Sequence, residues 1–248
     1  MIGVLIVLGV ANLLMHLEAT AVNVAPGLGW RFGLTAIIPL LSVVGGRIVP
    51  SFTRNWLSKR QTQNLPSAPG IIDRAALGAL HVGFFAWAST PDFSPIGWLL
   101  LIGAVLNLWR LLQWRGAATL PEPLLFVLHV GYAWMVLGAA LLGLSMLDLD
   151  VPLTAAVHAL SAGAIGTMTI AVMTRATRGH TGRELSADIV TSAIYALISV
   201  AAIMRVAAAF GFSWSMLLLV GSACLWVAAF TGFVLCYSPM LLRPPADP

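Results

Sequence analysis

Residues 123–146 read PLLFVLHVGYAWMVLGAALLGLSM, an unbroken apolar run of 24 residues with no Asp, Glu, Lys or Arg. A helix needs about 20 apolar residues to cross a hydrocarbon core of about 30 Å. The run shows no alternation of apolar and polar residues and is about twice the length of a barrel strand, so it predicts a helix. Runs of similar character occur at 2–22, 31–50, 71–90, 95–114, 152–174, 187–210 and 213–237. Helix-stopping residues lie between them: Pro66, Pro69 and Gly70, then Pro91 and Pro95, Pro121 and Pro123, and Pro152.

Composition agrees with this reading. Of the 248 residues, 59% are hydrophobic and 9% charged, and the mean hydropathy is +0.93. A soluble domain carries about 25% charged residues, so most of this surface is built to face lipid. The expected fold is all-α: one polytopic transmembrane helical bundle over residues 1–248, with eight spans. A loop over 54–70, too short for a domain, is the longest expected connection.

Charge then sets the orientation. Arg54, Lys59, Arg60, Arg74, Arg110, Arg115, Arg175, Arg178, Arg183 and Arg243 all fall at one end of the expected bundle. Glu18, Asp92, Asp148 and Asp150 fall at the other, with Arg31 the one basic residue there. Basic residues favour the cytoplasmic side, which predicts both termini inside. The formal net charge of +4 therefore describes an inner rim, and no basic domain stands clear of the membrane to take a nucleic acid. Residues 1–22 have no positive leading region, and His16 and Glu18 interrupt them, so they read as a retained helix rather than a signal peptide. Cys224 and Cys236 share one expected helix about 18 Å apart at 1.5 Å per residue. They cannot bridge, and no Cys-x-x-Cys pattern occurs.

Polar residues inside a membrane are costly and mark functional candidates. Four of the five histidines fall within expected spans: His16, His81, His129 and His158. Neutral imidazole is the commonest metal ligand and suits haem iron and copper. The expected topology puts His16, His158 and Arg205 at similar depth in the outer half of the bilayer. Two imidazoles on facing helices can clamp a haem, and an arginine can pair its carboxylates. Each histidine also has an ordinary reading as a hydrogen bond between helices, and Arg205 can simply snorkel to the interface. No His-x-x-x-His pair occurs, so any ligand set must be assembled between helices. Ala155, Ala159, Gly163 and Gly166 form a stripe for close packing. Thr167, Thr169 and Thr174 are expected to bond their own helix, and Met168 and Met173 to pack. Trp30, Trp56, Trp98 and Trp114 read as an interfacial belt.

Three stretches carry a resemblance. They are GGRIVPSFTRNWL at 45–57, LHVGYAWMVLG at 128–138, and the long run from His158 through Gly163, Gly166, Thr167-Met168-Thr169 and Val172-Met173-Thr174-Arg175 to Gly179-His180-Thr181-Gly182-Arg183. Together they resemble the NnrS family of bacterial membrane proteins over essentially the whole chain. The resemblance implies a multi-pass bacterial inner-membrane protein containing haem, of the b type, and copper, and linked to the response to nitric oxide and nitrosative stress. Nitric oxide is then the expected ligand, and respiratory or denitrification enzymes are the expected protein partners. His129 and His158 lie in the family's histidine-bearing stretches and are the first candidates as metal ligands. His16 and His81 follow, while His180 belongs to a different place at the rim. Members of this family are longer and carry additional helices with a His-Ala-His-Glu stretch, so this chain resembles their C-terminal portion. A metal-free multi-pass transporter of a small anion or protons, using His158, Arg205 and Arg175, is the alternative from another class.

Overall fold

The computed structural model describes residues 2–20 and 23–244; residues 21 and 22, part of the first expected span, lie outside them. The described residues form helices and connections, with no strand. Eight helices are long and apolar enough to cross a membrane: α1 (Ile2–Ala19), α2 (Leu28–Lys59), α3 (Ile71–Ser89), α4 (Pro95–Gln113), α5 (Pro123–Met146), α6 (Leu153–His180), α7 (Ile189–Ala208) and α8 (Ser215–Leu242). A short 3-10 turn, Gly116–Thr119, joins α4 to α5.

Local chemistry accounts for the helix starts. Pro95 and Pro123 open α4 and α5, where the missing N–H has no intrahelical partner to lose. Glu122 precedes α5 and accepts the Leu124 N–H. Asp188 precedes α7 and accepts the Thr191 N–H at 2.7 Å. Three helix ends differ from expectation. Helix α2 passes through Pro39 and Pro50 and continues to Lys59, so Arg54 and Asn55 are helical and the connection begins near Arg60. Helix α6 runs to His180 rather than ending at 174, and α8 passes Pro239 to Leu242. A proline removes one backbone bond, but helices packed on neighbours tolerate the loss within a membrane. The Arg54 guanidinium also bonds the Pro66 carbonyl, which folds the connection back along the end of α2.

Successive helices are antiparallel, and glycines set how closely they approach. A Cβ on Gly97 would sit 2.7 Å from the Gly143 carbonyl, and one on Gly143 the same distance from that of Gly97. Helices α4 and α5 therefore touch backbone to backbone. Gly131 lies against Met168, Gly138 against Leu160, and Gly163 against the Trp134 ring, which fixes the register of α5 on α6. Helix α5 is the centre of the molecule, packed by α2, α4, α6 and α7. Helices α1 and α8 form the edges, and their apolar side chains, such as Leu5, Ile6, Leu217 and Leu235, stay exposed.

A few polar side chains lie within a largely apolar interior, and apolar side chains cover the outward faces of the spans. Arg31, Asn107, Arg110, Glu122, His129 and Arg178 are buried, whereas Ile102, Val105, Ile203 and Val227 face outward. Apolar outward faces with charged side chains kept inside or at the ends suit a lipid surround. Helix α6 is not uniform: Ala159–Ile165 is π-helical and begins immediately after His158. Such segments are rare and occur often at functional sites.

Candidate functional site

The first polar centre lies near the end of the bundle that holds the connections α2–α3 and α4–α5. His129 on α5 is buried, and its Nε2 lies 2.9 Å from Thr53 Oγ1 on α2. The Thr53 hydroxyl has one proton, which it donates to the Val49 carbonyl at 2.9 Å. When that proton goes to Val49, the hydroxyl accepts from His129 Nε2. Nδ1 is buried and has no partner. It faces Gly116, where a Cβ would come within 2.9 Å. Alongside is an apolar cleft of about 550 Å³ lined by Leu111, Leu112, Phe126 and Val130, with Arg115 at its exposed edge.

Beside His129 lies an ion-pair network that composition alone did not reveal. Arg110 Nε donates to Asp73 Oδ1 at 2.8 Å, and its Nη1 donates to Asn107 Oδ1 at 3.0 Å and to the Tyr132 hydroxyl at 2.8 Å. Tyr132 donates in turn to Asn107 Oδ1 at 2.7 Å. Asn107 donates to the carbonyls of Ala76 and Gly103. Gly46 makes room for the guanidinium: a Cβ there would lie 2.5 Å from Arg110 Nη2. Gly45 does the same for the Tyr132 ring, at 3.2 Å. The stretch 45–57 thus brings α2 against α4 and α5 through two glycines and Thr53. Asp73 and Asn107 were legible as polar residues within spans. Arg110, expected at the rim, is folded inward, and Trp114, expected in the belt, is buried edge-on against Tyr132.

The second centre lies towards the opposite end. His158 on α6 and Arg205 on α7 line one cleft of about 660 Å³, closed on its third side by α8 through Ser222, Trp226 and Phe230. Trp226 and Phe230 pack ring on ring with centroids 4.2 Å apart. Exposed Trp226 and Val227 border the opening. The expected juxtaposition of His158 and Arg205 is present, but His16 takes no part in it. His16 is exposed on α1, which packs against α2.

The remaining candidates are scattered. His81 Nδ1 donates to the Leu77 carbonyl of its own helix at 2.7 Å. His180 is exposed at the end of α6 and lines a separate cleft with Phe52 and Arg175. His129 and His158 do not meet. The contacts of Gly131 with Met168 and Gly138 with Leu160 place His129 level with residue 170 of α6. That is about 18 Å from His158 along the helix axis. Arg175 is about 25 Å from His158 on the same measure, stacked over Phe52 at 4.1 Å, so it is not part of the His158–Arg205 cleft. Of the threonines expected to bond their own helix, Thr174 does so, to Ile170 at 2.8 Å. Thr167 Oγ1 is buried without a partner.

These two centres occupy the stretches that a family model also recognises. The model described as NnrS protein matches residues 1–244. The chain belongs to the NnrS family. No curated protein and no solved structure matches it. With eight helices of spanning length, this NnrS-family chain is a multi-pass membrane protein.

The cofactors expected of the family can be tested against the residues present. Among the described residues, no group of three or more His, Cys, Asp or Glu side chains is placed to hold a metal ion. The described side chains therefore do not by themselves assemble a copper site of three or more such donors. Haem asks less of the protein: one imidazole nitrogen, an apolar wall and a partner for its carboxylates. The cleft of His158, Arg205, Trp226 and Phe230 offers those groups. One haem cannot take both His129 and His158, given their separation.

Proposed function

We propose that this NnrS-family chain is a haem-binding protein of the bacterial inner membrane that acts in the response to nitric oxide, with the haem held at His158. The observation that carries the reading is the shared cleft of His158 and Arg205. In it a metal-ligating imidazole and a carboxylate-pairing guanidinium converge within an otherwise largely apolar enclosure. His158 would offer a ring nitrogen to the iron, and Arg205 would pair a haem carboxylate. Trp226, Phe230 and Ile165 would hold the ring and keep water from it. Haem iron, when bound, supplies affinity for nitric oxide.

The location suits that ligand. Nitric oxide is small, uncharged and soluble in lipid, and the cleft opens beside exposed Trp226 and Val227. No water-filled route through the bundle is required. The basic end, with Arg54, Lys59 and Arg60, would face the cytoplasm, and the His158 cleft would then lie in the outer half of the membrane.

An absorption spectrum and metal analysis of the protein purified from a haem-sufficient host test this reading. Haem absorption that is lost or shifted in His158→Ala and retained in His180→Ala is the expected result. Arg205→Gln should loosen haem retention without abolishing the spectrum. A preparation without haem, or a His158→Ala protein with an unaltered spectrum, refutes the assignment.

A further inference from the structure

At the basic end of the bundle, the end of α2, the start of α5 and the α6–α7 connection enclose a cleft of about 350 Å³. Three cations line it: Lys59 and Arg60 at the end of α2, and Arg175 on α6. Lys59 and Arg60 are exposed and Arg175 is half-buried, so a ligand can reach all three. Arg60 lies over the Trp56 ring at 3.9 Å and Arg175 over that of Phe52 at 4.1 Å. The rings restrict both side chains, which lowers the entropy cost of presenting them to an anion. Arg110 and Arg178 are each paired with an aspartate, whereas no ion pair among the described residues uses Lys59, Arg60 or Arg175. Glu122 and Glu184 line the same cleft. Glu122 Oε1 accepts the N–H groups of Leu124 and Ala187, and Glu184 is exposed. Three cations against two carboxylates leave the cleft net positive.

A second cleft, of about 390 Å³, adjoins the first and shares Phe52, Arg175 and Leu185 with it. Apart from Arg175 and His180 its lining is apolar, and it follows the groove between α2 and α6 through Ile48, Leu128 and Val172. Val172 is exposed, so the groove opens on the lipid-facing side. Along α2, Ile48 and Lys59 are about 16 Å apart at 1.5 Å per residue. The pair of clefts therefore suits a ligand with negative charge at one end and hydrocarbon over the rest. We infer that this groove is a binding site for an acidic phospholipid, whose head-group phosphate is held by Lys59, Arg60 and Arg175 and whose acyl chain lies along Ile48, Phe52 and Val172. Basic pockets between spanning helices select acidic head groups in this way. A soluble anion would use the charged cleft and leave the apolar one unfilled, and a zwitterionic lipid would bring its own cation against three others.

The test uses the whole protein in detergent, with dioleoyl phosphatidylglycerol and dioleoyl phosphatidylcholine as probes and native mass spectrometry to count the lipid retained. The two lipids carry the same chains, so a difference reports the head group. Retention of phosphatidylglycerol at least fivefold above phosphatidylcholine is expected, since one basic side chain near a head group contributes about 1 kcal/mol, or about fivefold. Arg175→Gln should bring that ratio down about fivefold. The double variant Lys59→Gln, Arg60→Gln changes two exposed side chains and should do the same without a burden on folding. Glycerol phosphate, which has the head-group chemistry and no tails, should not displace phosphatidylglycerol at equal concentration. Equal retention of the two lipids overturns the inference, as does a preference that survives either Arg175→Gln or the double variant. Displacement by glycerol phosphate overturns the lipid in favour of a soluble anion. Haem content plays no part in the readout, so failure at His158 and failure here are distinguishable.

Discussion

Replacing Asp73 with asparagine removes the carboxylate paired with Arg110 while leaving shape and volume almost unchanged. The Arg110 side chain is 4% exposed and that of Asp73 19%, with Nε and Oδ1 2.8 Å apart. Asparagine can still accept one hydrogen bond, but the guanidinium charge then has only Asn107 and Tyr132 around it. Leaving one charge of a buried pair uncompensated costs about 3–5 kcal/mol. Asp73 lies at the end of α3 with partial access to solvent, so the lower figure applies. For a chain of this length, about 3 kcal/mol corresponds to a fall in thermal midpoint of roughly 6–12 °C. The assay is thermal unfolding of detergent-purified protein by intrinsic fluorescence, comparing Asp73→Asn, Arg110→Met and the double variant. The double variant should be more stable than Asp73→Asn alone, because it removes the orphaned charge and leaves the Tyr132–Asn107 bond at 2.7 Å intact. An unchanged midpoint for Asp73→Asn, or a double variant at least as unstable, would refute the reasoning.

Thr53→Val removes the partner of the buried His129 Nε2 and should cost about 1–3 kcal/mol in the same unfolding assay. Gly163→Ala would put a Cβ 2.6 Å from Trp134 Cδ2 and should destabilise by about 1–3 kcal/mol. In contrast, Gly78→Ala, with nothing within 4 Å of its Cβ, should gain about 0.5–1 kcal/mol from helix propensity. Asp188, just outside α7, has its pKa held below the ordinary value of 3.8; burial pushes it up, but the Thr191 N–H and hydroxyl and the Arg178 guanidinium outweigh that. Its contribution is therefore present above the ordinary carboxylate pKa and is lost as pH falls through the lowered one. The effect is small because the side chain is 55% exposed. Thermal midpoints measured from about pH 5 down to about pH 3 should fall more for the unaltered protein than for Asp188→Asn.

The spans were legible because hydrophobicity is a local property of the chain, and runs such as 123–146 show it without reference to any neighbour. Proline misled at the ends of α2 and α8, since a helix held between neighbours survives a lost bond that would end a solvated one. The sign of a charge also proved an incomplete guide. Arg110 and Lys59 read alike in the sequence, yet one is folded into the bundle and the other is exposed. What separates them is Asp73, which lies 37 residues away from Arg110. His129 was recognisable as a polar residue in a span. Its hydrogen bond depends on Thr53, 76 residues away. Similar depth allowed His158, Arg205 and His16 to meet, and helix packing decided which did: α6 and α7 share a cleft, whereas α1 packs against α2.

The π-helical turn at Ala159–Ile165 has a consequence for inheritance. Such a turn holds one residue more than the α-helix on either side. Loss of a single codon there could be absorbed by reversion to an ordinary helix, with α6 still spanning and still packed. Because the π turn carries that extra residue while the helix on either side keeps its face, His158 would stay close to the cleft it shares with Arg205. A one-residue loss in the ordinary helix beyond the turn would instead rotate His158 by about 100°, so α6 tolerates a deletion at this turn and not beside it.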